Sequence, residues 1–375
     1  MKLLIPKSAE SHEPIDNEVM NRTMLAVGED AVKRLSRLHV GIVGLGGIGI
    51  VAAELVARLG VKKITVIDFD KLSCSNLNRF LGATRLDAKL ETPKVNIAAR
   101  IVWNINPDVE FTIVNDDFLQ EKNQKKFKSC DFIFGCSDSV GVRIAANHLC
   151  VACGIIYIDL GCGVKIENGK MVACGGQVVK VIPGNDYCIN CSELFDLGKV
   201  SLEFTDPEEA ARQRAMGYVE GANVPQPSVY ALNMTISSLA VWMMMRLVAG
   251  EDLEFDGIYY DAMSLQTYTW LEKRLRGRSD CVVCGKNGVE FQGDEVELLV
   301  RERIEESSIP LNNPDNQNHR SSITEVRQEG TESVVQHQRS ESEQPEQNSG
   351  NCRGSRHRGG WDLRVMLEDA MPKTF

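Results

Sequence analysis

The sequence lacks the features that mark nucleic-acid-binding, secreted or membrane-spanning proteins. Its formal net charge is −10 over 375 residues, and no basic stripe alternates with aromatic residues. An acidic surface repels phosphate backbones, so we do not expect a nucleic-acid partner. No charged-then-apolar leader opens the chain and its cysteines are scattered, so we expect a reduced, cytoplasmic location. The long apolar segment 229–247 contains four polar residues and ends at an arginine, which predicts a buried helix instead of a membrane span.

Cysteine is absent from residues 192–280, although the chain has 12 cysteines in all. Two CxxC pairs border this gap, Cys188 with Cys191 and Cys281 with Cys284. Four thiolates suit tetrahedral Zn²⁺, and four protein ligands leave no position open for water. We therefore predict a structural zinc site that joins two remote segments. A redox motif of the thioredoxin type, the alternative for either pair, would need no distant second pair.

A glycine-rich turn between two predicted strands is the strongest pattern in the chain. An apolar strand, 40–43, leads into the turn, and a second strand ends in Asp68-Phe69-Asp70. The glycines of the turn are Gly44, Gly46, Gly47 and Gly49. Without Cβ atoms they let the backbone approach a phosphate, while the N-terminus of the next helix supplies free N–H groups. With Asp68 about 20 residues on, placed for a ribose hydroxyl, the pattern predicts a nucleotide-binding βαβ unit.

The segments after this unit distinguish adenylation from hydride transfer. Arg79 ends the run Ser-Asn-Leu-Asn-Arg, Lys94 lies in Thr-Pro-Lys-Val, and Asp138 follows a predicted apolar strand, 131–134. Adenylation by ATP needs cations at the triphosphate and a carboxylate that holds Mg²⁺ while pyrophosphate leaves. An NAD-dependent oxidoreductase, the alternative for the opening motif, would leave these three residues without a role. Each residue alone also fits an ordinary surface charge or helix cap.

Taken in order and spacing, these segments closely resemble the ThiF/MoeB/HesA family, whose adenylation domain is shared with ubiquitin-activating enzymes. The resemblance covers residues 17–285. It implies that ATP is bound through its ribose, its phosphates and a Mg²⁺ ion. By this resemblance Asp68, with Asp70 beside it, would bind the ribose. Asn76, Arg79 and Lys94 would contact the phosphates, and Asp138 would hold the Mg²⁺ ion.

The pair Asn21-Arg22, followed by Leu25, is similar to the family's N-terminal Asn-Arg segment. In that family the arginine reaches into the active site of the neighbouring subunit. The resemblance therefore implies that Arg22 completes a partner's site and that the chain forms a homodimer, in which the buried helix 229–247 would lie between the sheet and the partner. From the residues alone, Arg22 fits equally well as a cap or surface residue of a short helix.

The resemblance implies ATP-dependent adenylation of the C-terminal carboxylate of a ubiquitin-like or sulfur-carrier protein that ends in glycine. Family members that form a sulfur-linked intermediate carry the cysteine for it between the two CxxC pairs. This chain has Tyr218 at the corresponding place. Ser228 is better explained as a helix N-cap than as an acyl acceptor. The chain thus stops at the acyl-adenylate, uses another nucleophile, or passes the acyl group to a second protein. A non-catalytic adaptor and adenylation of a peptide or a tRNA base are the alternatives.

Alternating strand and helix patterns in residues 39–160 predict an α/β fold with a Rossmann-like, doubly wound, mainly parallel sheet. Asn168-Gly169 is a strong hairpin signal, after which we expect the sheet to continue into antiparallel strands. The predicted strands of this second half are 155–160, 164–166, 171–182, 257–262 and 267–274. Cys162, just after the first of them, would lie at the carboxyl edge of the sheet.

Composition divides the chain into four predicted parts. These are an N-terminal helical arm, 1–37, a ThiF-type adenylation domain, 38–304, a disordered linker, 305–360, and a C-terminal recognition segment, 361–375. The linker is dominated by Ser, Gln, Asn, Glu and Arg. Apolar residues pair at i, i+4 spacing from Trp361 onward, which fits a short helix that captures a conjugating enzyme or the modifier. A frayed terminus is the alternative.

Overall fold

The computed structural model describes residues 17–185, 187–191, 204, 227–271 and 277–301. Its strands are β1 (His39–Val43), β2 (Lys63–Ile67), β3 (Glu110–Val114), β4 (Phe132–Gly135), β5 (Ile156–Glu167), β6 (Lys170–Val181), β7 (Phe255–Asp261) and β8 (Gln266–Leu271). Its helices are α1 (Asn17–Val27), α2 (Glu29–Leu35), α3 (Gly49–Arg58), α4 (Arg85–Lys89), α5 (Lys94–Ile105), α6 (Glu121–Gln124), α7 (Val140–Cys153) and α8 (Tyr230–Ala249). Tyr218, the predicted linker and the predicted recognition segment lie outside the described residues.

The described strands form one sheet in the order β3-β2-β1-β4-β5-β6-β7-β8. Strands β1 to β5 pair in parallel, and β5 to β8 pair antiparallel. Strands β1 and β4 are buried along their whole length, as parallel strands are when helices cover both faces. Because β1 lies between β2 and β4, the connections on its two sides diverge and open a crevice at the carboxyl ends. The predicted fold class is confirmed.

Alternate residues of the strands face two separate apolar layers. Val40 and Ile42 of β1 pack with residues of α3, α5 and α8 on one face of the sheet. Val43 of β1 and Ile133 of β4 pack with α7 and both CxxC segments on the other. The period of two along a strand divides the side chains between these layers, which gives the doubly covered sheet.

The hairpin joins β5 and β6 through a two-residue turn at Asn168 and Gly169, whose φ angles are 51° and 74°. Positive φ at both positions is typical of a type I′ turn, so the Asn-Gly prediction is confirmed. The predicted break between strands 155–160 and 164–166 is wrong, because β5 is one strand of 12 residues. In the sequence, Gly161 resembles a residue that ends a strand. In the structure the glycine leaves room for Arg143, because a Cβ at this position would lie 3.2 Å from Arg143 Nη2.

Helix α8 is the longest apolar helix of the described residues and packs against α2, α3, β5 and β6. By length and composition alone it could cross a membrane, but 61% of its apolar window is buried in the protein, as in a core helix. The predicted N-cap at Ser228 is wrong. Val229 occupies the cap position without a side-chain cap bond, and the Ser228 hydroxyl accepts a hydrogen bond from Asn233 Nδ2 at 3.3 Å. Whether a partner covers the outer face of α8 stays a prediction.

Candidate functional site

The glycine-rich turn runs from the end of β1 into α3. Gly44 has a φ of 91°, and its N–H donates to Ile67 O at 2.9 Å. A Cβ on Gly44 would lie 2.8 Å from Ser137 N, so the turn packs directly against the β4–α7 loop. Around the Cβ position of Gly46 the space is open, whereas a Cβ on Gly49 would overlap the Gly44 carbonyl. The turn thus needs glycine both for its conformation and for close packing.

Asp68 fixes the turn from the end of β2. Its carboxylate accepts hydrogen bonds from Leu45 N at 2.6 Å and from Asp70 N at 2.8 Å. Lys94, at the start of α5, donates to Asp70 Oδ2 at 2.6 Å and lies 4.0 Å from Asp68 Oδ1. Burial raises the pKa of Asp68, while Lys94 and the two N–H groups oppose the rise. The structure therefore places an ammonium, two carboxylates and the glycine-rich turn side by side.

Asn76 and Arg79 lie in the loop after β2, where local contacts hold them. Asn76 Oδ1 accepts from Ser73 N at 3.0 Å, and Arg79 Nη1 donates to Ser75 O at 2.6 Å. The backbone of Arg79 touches the turn, since a Cβ on Gly47 would lie 3.1 Å from Arg79 O. The loop therefore lies at the site, but the Arg79 guanidinium must leave its local acceptor to reach a phosphate.

Asp138 is exposed in the β4–α7 loop, next to the residues that pack on Gly44. Within the described part of the chain its carboxylate makes no hydrogen bond or ion pair. Ser139 caps α7 by accepting from Val142 N at 3.2 Å. An unpaired, exposed carboxylate beside a glycine-rich turn fits a Mg²⁺ ligand. Gly44 to Gly49, Asp68, Asp70, Lys94 and Asp138 are called the nucleotide edge below.

Arg22 lies exposed on α1, which packs against α2 and α8. Met20 of the same helix lies 3.4 Å from the Cβ position of Gly60, which follows the end of α3 opposite the glycine-rich turn. The predicted role of Arg22 in a partner's site stays a prediction.

The sequence reasoning missed a buried ion pair behind the β4–α7 loop. Arg143 of α7 donates from Nε to Asp159 Oδ1 at 2.9 Å and makes a second, very short bond from Nη2 to Oδ2. Tyr157 donates to the same carboxylate at 2.9 Å, and Asp159 is fully buried. The pair ties α7 to β5 and thus holds the loop of Asp138 in place. The sequence held one signal of this pair, because Arg143 is a charged residue within the apolar stretch 140–153.

The four cysteines of the CxxC pairs come together as a buried cluster, called the cysteine cluster below. All four sulfur atoms lie within 4.8 Å of one another. Cys188 Sγ is 3.8 Å from Cys281 Sγ, and Cys191 Sγ is 3.5 Å from Cys284 Sγ. A disulfide would need about 2.05 Å, whereas ligands of one tetrahedral Zn²⁺ stand about 3.8 Å apart. The cysteines therefore fit a closed zinc site.

Hydrogen bonds attach the cysteine cluster to α7. Asn147 of α7 is fully buried, accepts from Ile189 N at 3.3 Å and donates to Asn190 Oδ1 at 3.2 Å. A hydrogen bond with Cys284 lowers the pKa of Cys188, and the same bond raises the pKa of Cys284. The Asn147 bonds thus hold the CxxC segment of Cys188 and Cys191 on α7, the helix that follows Asp138.

Cys162 lies within β5, and its Sγ donates to Asn233 Oδ1 at 3.1 Å. Burial raises the pKa of this thiol to about 11, with a further rise from Cys174. At neutral pH the side chain is a protonated thiol, which is a poor nucleophile.

Comparisons with known proteins agree with this geometry. The profile of the ThiF family matches residues 20–283. The chain is 29% identical over 242 residues to ubiquitin-like modifier-activating enzyme 5 of Gallus gallus, covering 60% of this chain and 58% of that protein. The enzyme of the same name from Dictyostelium discoideum is 30% identical over 249 residues, covering 61% of this chain and 63% of that protein. The chain therefore spans less than two thirds of the length of these two relatives.

Molybdopterin-synthase adenylyltransferase of Escherichia coli (strain K12) is 29% identical over 279 residues, covering 72% of this chain and 98% of that protein. Among solved structures, a crystal structure of E. coli MccB with MccA-N7isoASN superposes with a TM-score of 0.57. It is 17% identical and covers 72% of this chain and 75% of that one, so the likeness concerns the fold. With the family profile matched over more than half of its length, the chain belongs to the ThiF family.

Proposed function

We propose that the protein uses ATP to adenylate the C-terminal carboxylate of a ubiquitin-like or sulfur-carrier protein that ends in glycine. The observation that carries the proposal is the nucleotide edge, where Lys94 lies 2.6 Å from Asp70 and Asp68 holds the glycine-rich turn through Leu45 N. The names of the relatives, an activating enzyme and an adenylyltransferase, support the same reaction. An adaptor that only bound a modifier would not need a buried lysine beside two carboxylates.

The mechanism is mainly positioning and charge neutralisation. The carrier's carboxylate, already ionised at neutral pH, attacks the α-phosphorus of ATP in line, and the bond to the leaving pyrophosphate breaks. Negative charge grows on the pyrophosphate, where Lys94 and a reoriented Arg79 stabilise it. The free N–H groups of the turn and the N-terminus of α3 bind the α-phosphate, which stays with the adenosine. The product is an acyl-adenylate, in which the carbonyl is activated toward a later nucleophile.

Asp138 would hold the Mg²⁺ that accompanies ATP. Bound there, the ion would neutralise phosphate charge as pyrophosphate departs. The cysteine cluster would hold Zn²⁺, which would tie the segments around Cys188 and Cys281 together without taking part in the reaction. Arg22 of a second subunit would complete the site in a homodimer, and residues 361–375 would recruit a conjugating partner.

Pyrophosphate exchange into ATP tests the proposal with purified protein. We expect Mg²⁺-dependent exchange that requires one member of a panel of ubiquitin-like and sulfur-carrier proteins ending in glycine. Asp138→Ala should abolish it, while Asp108→Ala, which removes an exposed acid at the other end of the sheet, should not. Exchange supported by a short peptide and by no carrier protein would replace the carrier with a peptide substrate. Tight ATP binding without any exchange would favour the adaptor.

A further inference from the structure

The first turns of α8 pack on the glycine-rich turn through two buried polar side chains. Asn233 is 1% exposed and Ser237 is fully buried. Ser237 Oγ lies 2.9 Å from Ile48 O, at the point where the turn becomes α3. Buried polar groups keep hydrogen-bond partners, so these contacts fix α8 relative to the turn.

Both ends of the Asn233 amide have partners. Its Oδ1 accepts from Cys162 Sγ at 3.1 Å, and its Nδ2 donates to Ser228 Oγ at 3.3 Å. The same Nδ2 lies directly against Gly47, because a Cβ on Gly47 would overlap it. The amide therefore links β5 and the start of α8 to the glycine-rich turn.

Gly47 and Gly44 are required for different reasons. Gly44 has a φ of 91°, which side chains rarely adopt, whereas Gly47 is not in the left-handed region. The main obstacle to a side chain at Gly47 is Asn233, because the Cβ position would overlap Nδ2, whereas it would lie 3.1 Å from Arg79 O. Within the described part of the chain, the N–H groups of Gly46 and Gly47 donate to no other group, as expected of donors kept for a phosphate.

We infer that Asn233 is a positioning residue that holds Gly47 so that the N–H groups of the turn meet the phosphates of ATP. The inference rests on the proposed function in taking ATP as the ligand of the turn. It requires neither the carrier nor the adenylation step, so a direct measurement of ATP binding tests it separately.

The experiment measures binding of MgATP to the full chain by isothermal titration calorimetry. We expect Asn233→Ala to weaken binding about tenfold, because the turn loses the support on which Gly47 rests. Gly47→Ala should weaken it more, about 50-fold, since the new methyl group overlaps the amide. In the double variant the amide is gone, so we expect binding about fivefold tighter than in Gly47→Ala alone. The matched control is Thr235→Ala, a half-buried site on the same helix whose hydroxyl donates to Ala231 O, and it should stay within about twofold of the unmodified chain.

Equal affinities of Asn233→Ala and the unmodified chain would overturn the inference, and so would a double variant that binds no better than Gly47→Ala. If Asn233→Ala lowers the thermal midpoint, Asn233→Ser takes its place, and a smaller loss of affinity in the same direction is expected. In exchange assays the KM for ATP should rise more than kcat falls, whereas simple loss of folded protein would lower kcat alone. A chain that binds ATP normally but exchanges no pyrophosphate would refute the proposed function and leave this inference intact.

Discussion

The nucleotide edge and the cysteine cluster both join segments that are far apart in sequence, but they differ in exposure. At the edge the Asp70 side chain is 51% exposed and Asp138 is exposed, while Lys94 beside Asp70 is nine-tenths buried. In the cluster all four cysteines are buried and face one another. A set of ligands closed on itself can hold an ion permanently, whereas open charged groups beside free N–H groups can bind and release a substrate. We therefore expect the cluster to contribute stability and the edge to carry the proposed chemistry.

Removing one cluster cysteine should give the largest effect, on folding. We expect Cys281→Ser to lose the zinc proposed for the cluster and to lower the midpoint of thermal unfolding by about 10 °C, because the binding energy of such a metal is part of the folding energy. Zinc content by a colorimetric chelator assay and a thermal scan measure the two effects. Cys153→Ser, a half-buried cysteine outside the cluster, is the control and should keep both. A Cys281→Ser chain with normal stability would break the division of roles.

Removing the buried cation at the edge should affect activity and not folding. We expect Lys94→Met to lower carrier-dependent pyrophosphate exchange by about 1,000-fold, since the charge that develops on the leaving group loses its nearest partner. Methionine is similar in shape, so the thermal midpoint should change by less than about 3 °C. Lys71→Met is the matched control, because this exposed lysine lies 3.9 Å from Glu91 in the same region. Exchange within tenfold of the unmodified chain would remove Lys94 from the mechanism.

The smallest expected effect is a pH dependence of ATP binding that comes from Asp68. Burial raises its pKa above the ordinary value, so the carboxylate takes up a proton at a higher pH than an exposed aspartate as the pH falls. Lys94 opposes this rise, as do the N–H groups of Leu45 and Asp70, while the charge of Asp70 adds to it. Protonation weakens the bond from Leu45 N that holds the turn. ATP binding should therefore weaken as the pH falls toward the raised pKa.

Lys94→Met removes the nearest positive charge and should raise the pKa of Asp68 further. Between pH 7.5 and 6 we expect the affinity of the unmodified chain to change by less than about threefold and that of Lys94→Met to fall more steeply. Calorimetry of both chains at each pH gives the ratio of their affinities, in which the titration of ATP itself cancels. A ratio that stays constant with pH would show that Asp68 is not coupled to Lys94 in this way.

Much of this architecture could be predicted because it depends on local patterns. The alternation of apolar strands and helices, the Asn168-Gly169 turn and the two CxxC pairs each reflect the chemistry of a few neighbouring residues. The prediction was wrong at Gly161, where a glycine inside a strand looks like a strand end. The reason was Arg143, a contact from another element that no pattern within β5 reveals.

The sequence by itself determined the type of each part: a glycine-rich turn between two strands, acids and cations in the order of an adenylation domain, and two CxxC pairs. The tertiary structure decided which parts meet. It places Lys94 in hydrogen-bond contact with Asp70 and brings the sulfur atoms of the two CxxC pairs within 4.8 Å of one another. It also packs Asn233 against Gly47. These contacts join residues far apart in the chain, and they exist only once the sheet and its covering helices are assembled. Local periodicity reports which elements form, whereas packing at long sequence separation determines what those elements place side by side.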